Sequence, residues 1–492
     1  MNKLALIISK ISSSIFIILF SFFNILFTFY KANGETTLAN HFNLTTMILS
    51  IILLIFLYFI YKSEISNRKL FMIFIVFVTL FGVYWIFSND YNIINYDDSY
   101  NCYHAAKDIL KHDLTGISYK SYINMYPHNL PLVSLFVVLY KIFGELTLYV
   151  YRLANLILVV LAYITLVKLV DSYYSNSNIN RIAIILLYGL TQFVFLAYIP
   201  YTVVISFSLS IISIYYFTLF LKEHKYVNLV ISLSIICLST IFKSNSLIIL
   251  VAMLIFLIID LINNKSAKSI LTFFAFFIST TIITNSIIGF WSYKSDTNYD
   301  NKMPTIVWIA LGLNQDPNNP GGYFDSLYNY HHSHDFVVEY TTIEAKRQIQ
   351  YFIDLWEGKP LNAIKFYINK FSGAYNSPIF NSYTFYKIDP HLSINNDIRD
   401  GTIGELFFYK WDATMSIFSL GLLIFLFKNL KKATLAEMFA GVIAFGGFAF
   451  HMIWEANSIY TYIYILILLP YACNGLYELI TQEHNHYSHI PS

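Results

Sequence analysis

The chain has 492 residues, of which 57% are hydrophobic and 12% are charged, and its formal net charge is +2. Because soluble domains carry about 25% charged residues, this composition excludes an ordinary soluble domain. The near-neutral charge gives no argument for a nucleic-acid partner. Two of the three cysteines lie inside apolar runs, so the sequence does not support a disulfide framework.

Apolar runs recur along the whole chain, which is typical of an all-α polytopic membrane protein. The first run is too long for the core of a signal peptide and no clear cleavage site follows it, so we interpret it as an uncleaved first span. The run at 130–143 is short and could be shallow or re-entrant, so we predict about 12–13 transmembrane helices. The runs are 4–30, 42–61, 70–87, 130–143, 146–170, 182–199, 203–221, 227–242, 247–262, 270–290, 413–427, 435–453 and 459–479.

Basic residues predict the orientation, because Lys and Arg accumulate in cytoplasmic loops. They cluster at 62–69, 265–268 and 428–432, which places the two long polar loops on the outer side. We also predict an amphipathic helix at 337–356. The chain then divides into N-terminal transmembrane helices (1–88), a first large extracytoplasmic loop with an acidic pair (89–127), a transmembrane core (128–290), an extracytoplasmic loop domain (291–410) and C-terminal transmembrane helices (411–492).

The acidic pair Asp97 and Asp98 lies near the start of the first outer loop. One interpretation is helix capping, because Asp is favoured at an N-cap and in the first turn of a helix, and an amphipathic segment follows. The other interpretation is chemical: a carboxylate can deprotonate an acceptor hydroxyl or hold a divalent cation such as Mg or Mn against a phosphate. Both interpretations remain open from the residues alone, and one Asp could cap while the other reacts.

Three more charged residues lie in or beside apolar runs. A cation inside such a run is costly unless it reaches the headgroups or meets an anion, so Arg152 either snorkels or clamps a lipid phosphate. Lys243 lies at a polar break on the predicted outer side, where Lys is disfavoured, which favours a functional role. Glu455 is either an exposed turn residue or a carboxylate that faces the same outer cavity as Asp97. The sequence has no Gly-rich nucleotide-binding loop.

Three segments, in this order and spacing, resemble the GT-C superfamily of membrane glycosyltransferases. The resemblance is to the branch with protein O-mannosyltransferases and the aminoarabinose (lipid A) transferases. Three departures are an Asp-Asp pair where Asp-Glu is frequent, His128 after Pro127 where a second Pro is expected, and no Arg near Tyr460. The segments are DDSYNCYHAA, YPHNLPLVSLFVVLYKIFGELTLYVYRL and WEANSIYTYIY, and the polar break at Lys243 adds to them.

The resemblance implies a GT-C-like core and transfer of a sugar from a polyprenyl-phosphate donor to a hydroxyl acceptor, with inversion. The acceptor would be an envelope glycan, lipid or protein at the outer face of a bacterial cytoplasmic membrane, among membrane lipids. Asp97 or Asp98 would be catalytic, with a divalent cation (Mg or Mn) on the pair as an option. Substrate-binding residues would be Tyr126, His128, Arg152, Lys243, Glu455 and Tyr460.

Three other functions remain open. A flippase or transporter for a lipid-linked saccharide predicts charges at mid-depth and an internal repeat. A polysaccharide polymerase or ligase predicts Arg and His in the outer loop, where Arg347 and the HHSH cluster at 331–334 lie. A non-catalytic scaffold predicts that the acidic pair does no more than cap a helix.

Overall fold

The computed structural model describes residues 2–31, 41–42, 44–89, 98–264, 267–317, 319–377, 379–380 and 402–487. Apart from one antiparallel pair of two-residue strands, β1 (Tyr30–Lys31) and β2 (His41–Phe42), the elements of these ranges are helices. The α-helices are α1 (Asn2–Phe29), α2 (Leu44–Lys62), α3 (Asn67–Ser88), α4 (Asp98–Leu110), α5 (Tyr122–Met125), α6 (Leu130–Phe143), α7 (Thr147–Tyr174), α8 (Ser177–Gly189), α9 (Gln192–Leu196), α10 (Thr202–Glu223), α11 (Tyr226–Phe242), α12 (Leu247–Asn264), α13 (Lys268–Ser295), α14 (Ile306–Gly312), α15 (Ser326–Ser333), α16 (Val338–Asp354), α17 (Pro360–Tyr375), α18 (Thr402–Lys428), α19 (Phe439–Ile453), α20 (Ser458–Leu466) and α21 (Leu469–Tyr487).

The long helices confirm the prediction of an all-α polytopic membrane protein. In the described ranges, nine helical segments are long and apolar enough to cross a membrane, or ten if the bent pair α20–α21 counts as one span. Their outward surfaces are apolar: Leu80 and Leu271, for example, are 65% and 66% exposed. Such exposure is costly in water but suits a hydrocarbon layer.

Three of the predicted runs differ from simple spans, which explains why nine or ten helices qualify instead of 12–13. The run at 182–199 is not one helix, because α8 ends at Gly189 and α9 covers only Gln192–Leu196. Helix α11 has 17 residues. Helix α6 has 14 residues, about 21 Å at 1.5 Å per residue, which is short for a hydrocarbon core of about 30 Å.

Helix α6 lies against α4 at one end of the bundle. Near its C-terminal end, Glu145 accepts a hydrogen bond from Lys107 of α4 at 3.1 Å. The rings of Phe136 and Tyr151 are 5.0 Å apart, so α7 folds back beside α6 instead of continuing it. This geometry fits the shallow segment that the short run indicates.

The stretch between α8 and α10, which contains only the short helix α9, is buried. Its free backbone carbonyls therefore need hydrogen-bond donors from inside the protein. Helix α7 supplies them. Arg152 Nε donates to Tyr198 O at 2.9 Å, Asn155 Nδ2 to Ile199 O at 3.0 Å, and Tyr163 Oη to Leu190 O at 2.7 Å. Polar side chains of α7 therefore stabilise a broken helix within the bundle.

The loops predicted to be cytoplasmic meet at one end of the bundle. Lys10 donates to Lys431 O at 2.8 Å, Arg181 donates to Ser63 O at 2.6 Å, and Lys222 lies 3.9 Å from Glu437. Helix α10 has 22 residues, about 33 Å of rise, and its N-terminal end lies at the opposite side. The start of α10 therefore lies at the end of the bundle away from these basic loops.

Helices α14–α17 form the region between α13 and α18, and α16 (Val338–Asp354) confirms the predicted amphipathic helix. The C-terminal part of α17 enters the helix bundle. Tyr375 packs edge-to-face against Phe16 of α1 with ring centroids 5.4 Å apart, and Phe371 packs against Phe448 of α19 at 5.6 Å. This region, called the outer region below, is thus anchored to the spans that it covers.

Candidate active site

The N-terminus of α4 places Asp98 in its first turn, where the unpaired backbone N–H groups favour a carboxylate. Asp98 is half-buried. Tyr122, from the short helix α5, donates its hydroxyl hydrogen to Asp98 Oδ1. Asp97 lies outside the described residues, so the role of the pair as a whole stays a prediction.

A chain of hydrogen bonds fixes this carboxylate. Tyr201 Oη donates to Asn129 Oδ1 at 3.3 Å, and Asn129 Nδ2 donates to Tyr122 Oη at 3.4 Å. Because Tyr122 then donates to Asp98, Tyr122 and Asn129 each accept one hydrogen bond and donate another. The chain connects the starts of α4, α6 and α10, and it orients the Asp98 carboxylate.

Lys243 faces Asp98 from another wall of the site, at the break between α11 and α12. Its ammonium lies over the ring of Tyr460 at 4.4 Å from the centroid and over that of Tyr201 at 5.0 Å, which are cation–π distances. Burial lowers the pKa of Lys243 to about 8, while the nearby carboxyls of Asp98 and Glu455 oppose that effect. The side chain is therefore a cation at neutral pH.

Glu455 occupies the turn between α19 and α20 and is 9% exposed. Its backbone N–H donates to Trp308 O of α14 at 2.9 Å, so the outer region holds the turn. Burial raises the pKa of Glu455 to about 7, with Lys243 lowering it and Asp98 raising it. None of the described salt bridges joins Lys243 to Asp98 or Glu455. The ammonium and the two carboxyls are therefore neighbours without direct contact, and a gap separates them.

Aromatic side chains surround this gap. Tyr126 packs between Tyr122 at 4.8 Å and Trp308 at 6.1 Å, measured between ring centroids. His128 is exposed, and the charges of Asp98 and Lys243 both act on it. The site therefore consists of aromatic rings around two opposite charges.

The structure thus brings six of the eight predicted site residues together. Arg152 is 1% exposed and lies with its guanidinium 3.9 Å from the centroid of the Tyr198 ring. Its hydrogen bond to Tyr198 O gives it a structural task in the buried stretch before α10, and its role towards substrate stays a prediction. The six are Asp98, Tyr126, His128, Lys243, Glu455 and Tyr460.

The described donors do not fit a divalent cation. In the described part of the chain no group of three or more His, Cys, Asp or Glu side chains converges on one point. Mg and Mn need several oxygen ligands, whereas the Asp98 carboxylate faces the ammonium of Lys243. The option of Mg or Mn on Asp97 and Asp98 remains a prediction because Asp97 is outside the described ranges.

Five residues of the site were not predicted as site residues: Tyr122, Asn129, Tyr201, Trp308 and Lys370. Asn129 belongs to the YPHN motif, where an amide directly before an apolar helix is a signal that could have identified it. Lys370 lies on the buried face of α17 with Phe366 and Ala374, and a Lys at an apolar position of an amphipathic helix is unusual. Nothing local distinguishes Tyr122 or Tyr201 from the many other tyrosines.

The HHSH cluster has structural tasks. His331 is buried, with Nδ1 at 2.6 Å from Thr341 Oγ1 and Nε2 at 3.0 Å from Asn301 O. Arg347 is exposed and forms an ion pair with Glu344 at 2.6 Å. His331 therefore holds α15 against α16, and the Arg347–Glu344 pair lies within α16.

Glu455→Gln is expected to make the thermal stability of the protein less dependent on pH. A carboxyl whose pKa is raised on folding stabilises the fold below its unfolded pKa, and that contribution is lost as the pH rises towards about 7. This rise in pKa corresponds to about 3 kcal/mol of unfolding free energy at most. Melting curves in detergent should show Tm falling between pH 4.5 and about 7 in the wild type and falling less in the variant.

Glu405→Gln provides the matched control, because Glu405 is exposed in the first turn of α18. Its pH dependence should equal that of the wild type. Equal pH dependence in Glu455→Gln and the wild type would contradict the burial of an ionisable Glu455.

No model of a known protein family matches the chain, and no curated protein matches its sequence. Among solved structures, the chain is similar to the crystal structure of the Archaeoglobus fulgidus oligosaccharyltransferase tethered through a disulfide bond to an acceptor peptide containing the NVT sequon. The TM-score is 0.41 and the sequence identity is 14%, over 85% of this chain and 50% of that one. The chain spans about half the length of that protein, and a TM-score of 0.41 is too low to establish a common fold.

Proposed function

We propose that the protein is a membrane glycosyltransferase with a GT-C-like core. It moves a sugar from a polyprenyl-phosphate donor to a hydroxyl group of an envelope glycan, lipid or protein, at the outer face of the cytoplasmic membrane. The observation that carries the proposal is that a fixed carboxylate, Asp98, and a half-buried cation, Lys243, face each other among aromatic rings at one end of the bundle.

Sugar transfer requires these two charges in separate places. The acceptor hydroxyl must lose a proton as its oxygen bonds to the anomeric carbon, and Asp98 is placed to accept that proton. The bond from the anomeric carbon to the phosphate oxygen breaks, and the leaving phosphate gains negative charge that Lys243 stabilises. A single displacement of this kind inverts the anomeric centre.

The remaining residues support the binding of a sugar between these groups. Trp308 and Tyr460 are half-buried rings against which the apolar face of a sugar packs, and the buried ring of Tyr126 supports Trp308. Glu455 is a buried carboxyl that can accept or donate a hydrogen bond to a sugar hydroxyl near neutral pH. A site at the end of the spans also suits a donor whose lipid stays in the membrane.

The alternatives explain these observations less well. A flippase or transporter is expected to carry its charged site near mid-depth, whereas Asp98, Lys243 and Glu455 lie in breaks and turns at helix ends. A polymerase or ligase that depends on outer-loop His and Arg would need His331 and Arg347 available. Both are engaged with Thr341 and Glu344.

The test is sugar transfer by purified protein in liposomes, with a panel of radiolabelled polyprenyl-phosphate sugars and crude envelope acceptor. Labelled product that depends on both the protein and the lipid-phosphate donor is the expected result. Label that moves across the bilayer without entering product would support the transporter instead. No transfer from any donor would overturn the proposal.

A further inference from the structure

Lys370, on α17 of the outer region, is a cation that is 1% exposed. Its ammonium donates to three backbone carbonyls: Gly312 O at 2.5 Å, Trp454 O at 2.9 Å and Met452 O at 3.1 Å. Burial lowers the pKa of Lys370 to about 7 and Glu455 opposes that effect. Because a neutral amine has only two N–H groups, three acceptors require the ammonium form.

The three carbonyls belong to two parts of the fold. Met452 and Trp454 stand at the C-terminal end of α19, where backbone carbonyls lack intrahelical partners and the helix dipole favours a positive charge. Gly312 ends α14 in the outer region. Lys370 therefore binds the outer region to the last turn of α19, directly before Glu455.

Two backbone hydrogen bonds complete this attachment. Glu455 N–H donates to Trp308 O and Ala456 N–H to Gly321 O, both at 2.9 Å. Gly321 has a φ of +72°, and a Cβ there would lie 2.5 Å from the Lys370 side chain. The glycine is thus required both by its backbone conformation and by the space that Lys370 occupies.

We propose that Lys370 is a positioning residue, which holds the Glu455 carboxyl at the substrate site by fixing the turn between α19 and α20 against the outer region. The inference rests on the proposed function, in which Glu455 binds substrate. Lys370 itself bonds to backbone carbonyls and acts through Glu455. The hydrogen bonds of Lys370 would then determine the position of the Glu455 carboxyl, and its charge would influence the ionisation of that carboxyl.

The charge of Lys370 provides a readout that a merely structural role lacks. Lys370 lowers the pKa of Glu455, against the larger effect of burial. Removing that charge should therefore move the ionisation of Glu455 to higher pH. The charged or titratable groups that face Glu455 are Lys243 from the break after α11, Asp98 from α4, Lys370 from α17, His451 from α19, Tyr460 from α20 and Tyr126 after α5.

The experiment compares Lys370→Met with Lys370→Arg, which keeps the charge and donors, and with Lys365→Met, which removes an exposed lysine of the same helix. The Glu455 carboxyl is titrated by infrared spectroscopy, as the difference between each protein and the same protein carrying Glu455→Gln. We expect the midpoint to rise by about one pH unit in Lys370→Met. It should stay near the wild-type value in Lys365→Met and return towards it in Lys370→Arg.

Transfer kinetics give the second readout. We expect kcat to fall by about 10- to 100-fold in Lys370→Met, because a small displacement of a binding group is costly, and the pH profile to shift in the same direction as the infrared midpoint. An unchanged midpoint and an unchanged pH profile would overturn the inference, while transfer by the wild type would leave the proposed function intact. If the wild type transfers no sugar, the proposed function fails and the infrared midpoint alone decides the role of Lys370.

Gly321→Ala is the second variant, used where Lys370→Met does not fold. Its added Cβ displaces the Lys370 side chain without removing the charge from the protein. The midpoint of Glu455 should again rise, and an unshifted midpoint would overturn the inference.

Discussion

Asp98→Asn is expected to lower the rate of sugar transfer by about 10²- to 10⁴-fold, which is the usual contribution of a general base. An amide cannot take the proton that the acceptor hydroxyl loses. Its oxygen can still accept the hydrogen bond from Tyr122, and losing a negative charge in the first turn of α4 costs only about 0.3–1 kcal/mol. The variant should therefore fold normally, and the loss should appear in kcat/KM with labelled donor in liposomes.

Asp108→Asn is the matched control for this prediction. Asp108 lies on the same helix α4 and has only a long ion pair with Lys111, at 4.0 Å, so its variant should transfer sugar at the wild-type rate. Asp97→Asn, measured in parallel, tests the other member of the acidic pair. Wild-type rates in both Asp97→Asn and Asp98→Asn would return the pair to helix capping and remove the base from the mechanism.

The sequence predicted the site through the ends of its apolar runs. Asp98, Lys243 and Glu455 each lie beyond the end of an apolar run. The basic clusters predict that these three positions are at the same end of the molecule. Because each span runs from one end of the bundle to the other, residues far apart in sequence are brought to the same end. Run boundaries and charge predicted that the three residues lie at one end, and the resemblance to GT-C enzymes supplied their expected roles. The structure brings the three residues together.

Two features were not predictable by the same reasoning. The run at 182–199 is apolar apart from Gly189, Thr191 and Gln192, so it was predicted as one span. Its break becomes favourable because Arg152, Asn155 and Tyr163 of α7 supply hydrogen-bond donors to its carbonyls, which is a tertiary effect. This effect also explains why Arg152, which the sequence left as either a snorkelling cation or a phosphate clamp, lies against Tyr198 within the bundle.

Lys243→Met is expected to reduce transfer by about 10²- to 10³-fold, the range found when one stabilising donor is removed from a developing negative charge. Met keeps most of the length and the apolar stem of Lys but carries no charge. The loss should lie mainly in kcat, because the leaving phosphate gains its extra charge only as the bond to the sugar breaks. Rapid-quench measurement of a single turnover separates this step from product release.

The pH dependence of transfer distinguishes this role from a packing defect. The pKa of Lys243 is lowered to about 8 by burial, so the cation is present below that pH and is lost above it. The wild-type rate should fall as the pH rises through about 8, and the residual rate of Lys243→Met should lack that decline. Lys225→Met, which removes an exposed lysine just before the other end of α11, should retain both the rate and its decline. If the decline persists unchanged in Lys243→Met, it belongs to the titration of another group.

The melting temperature gives a second check, because desolvating an ammonium is costly to the fold. Lys243→Met should melt at the same temperature as the wild type or higher. Lost transfer at an undiminished Tm would then show that the variant lacks a catalytic group and is not misfolded.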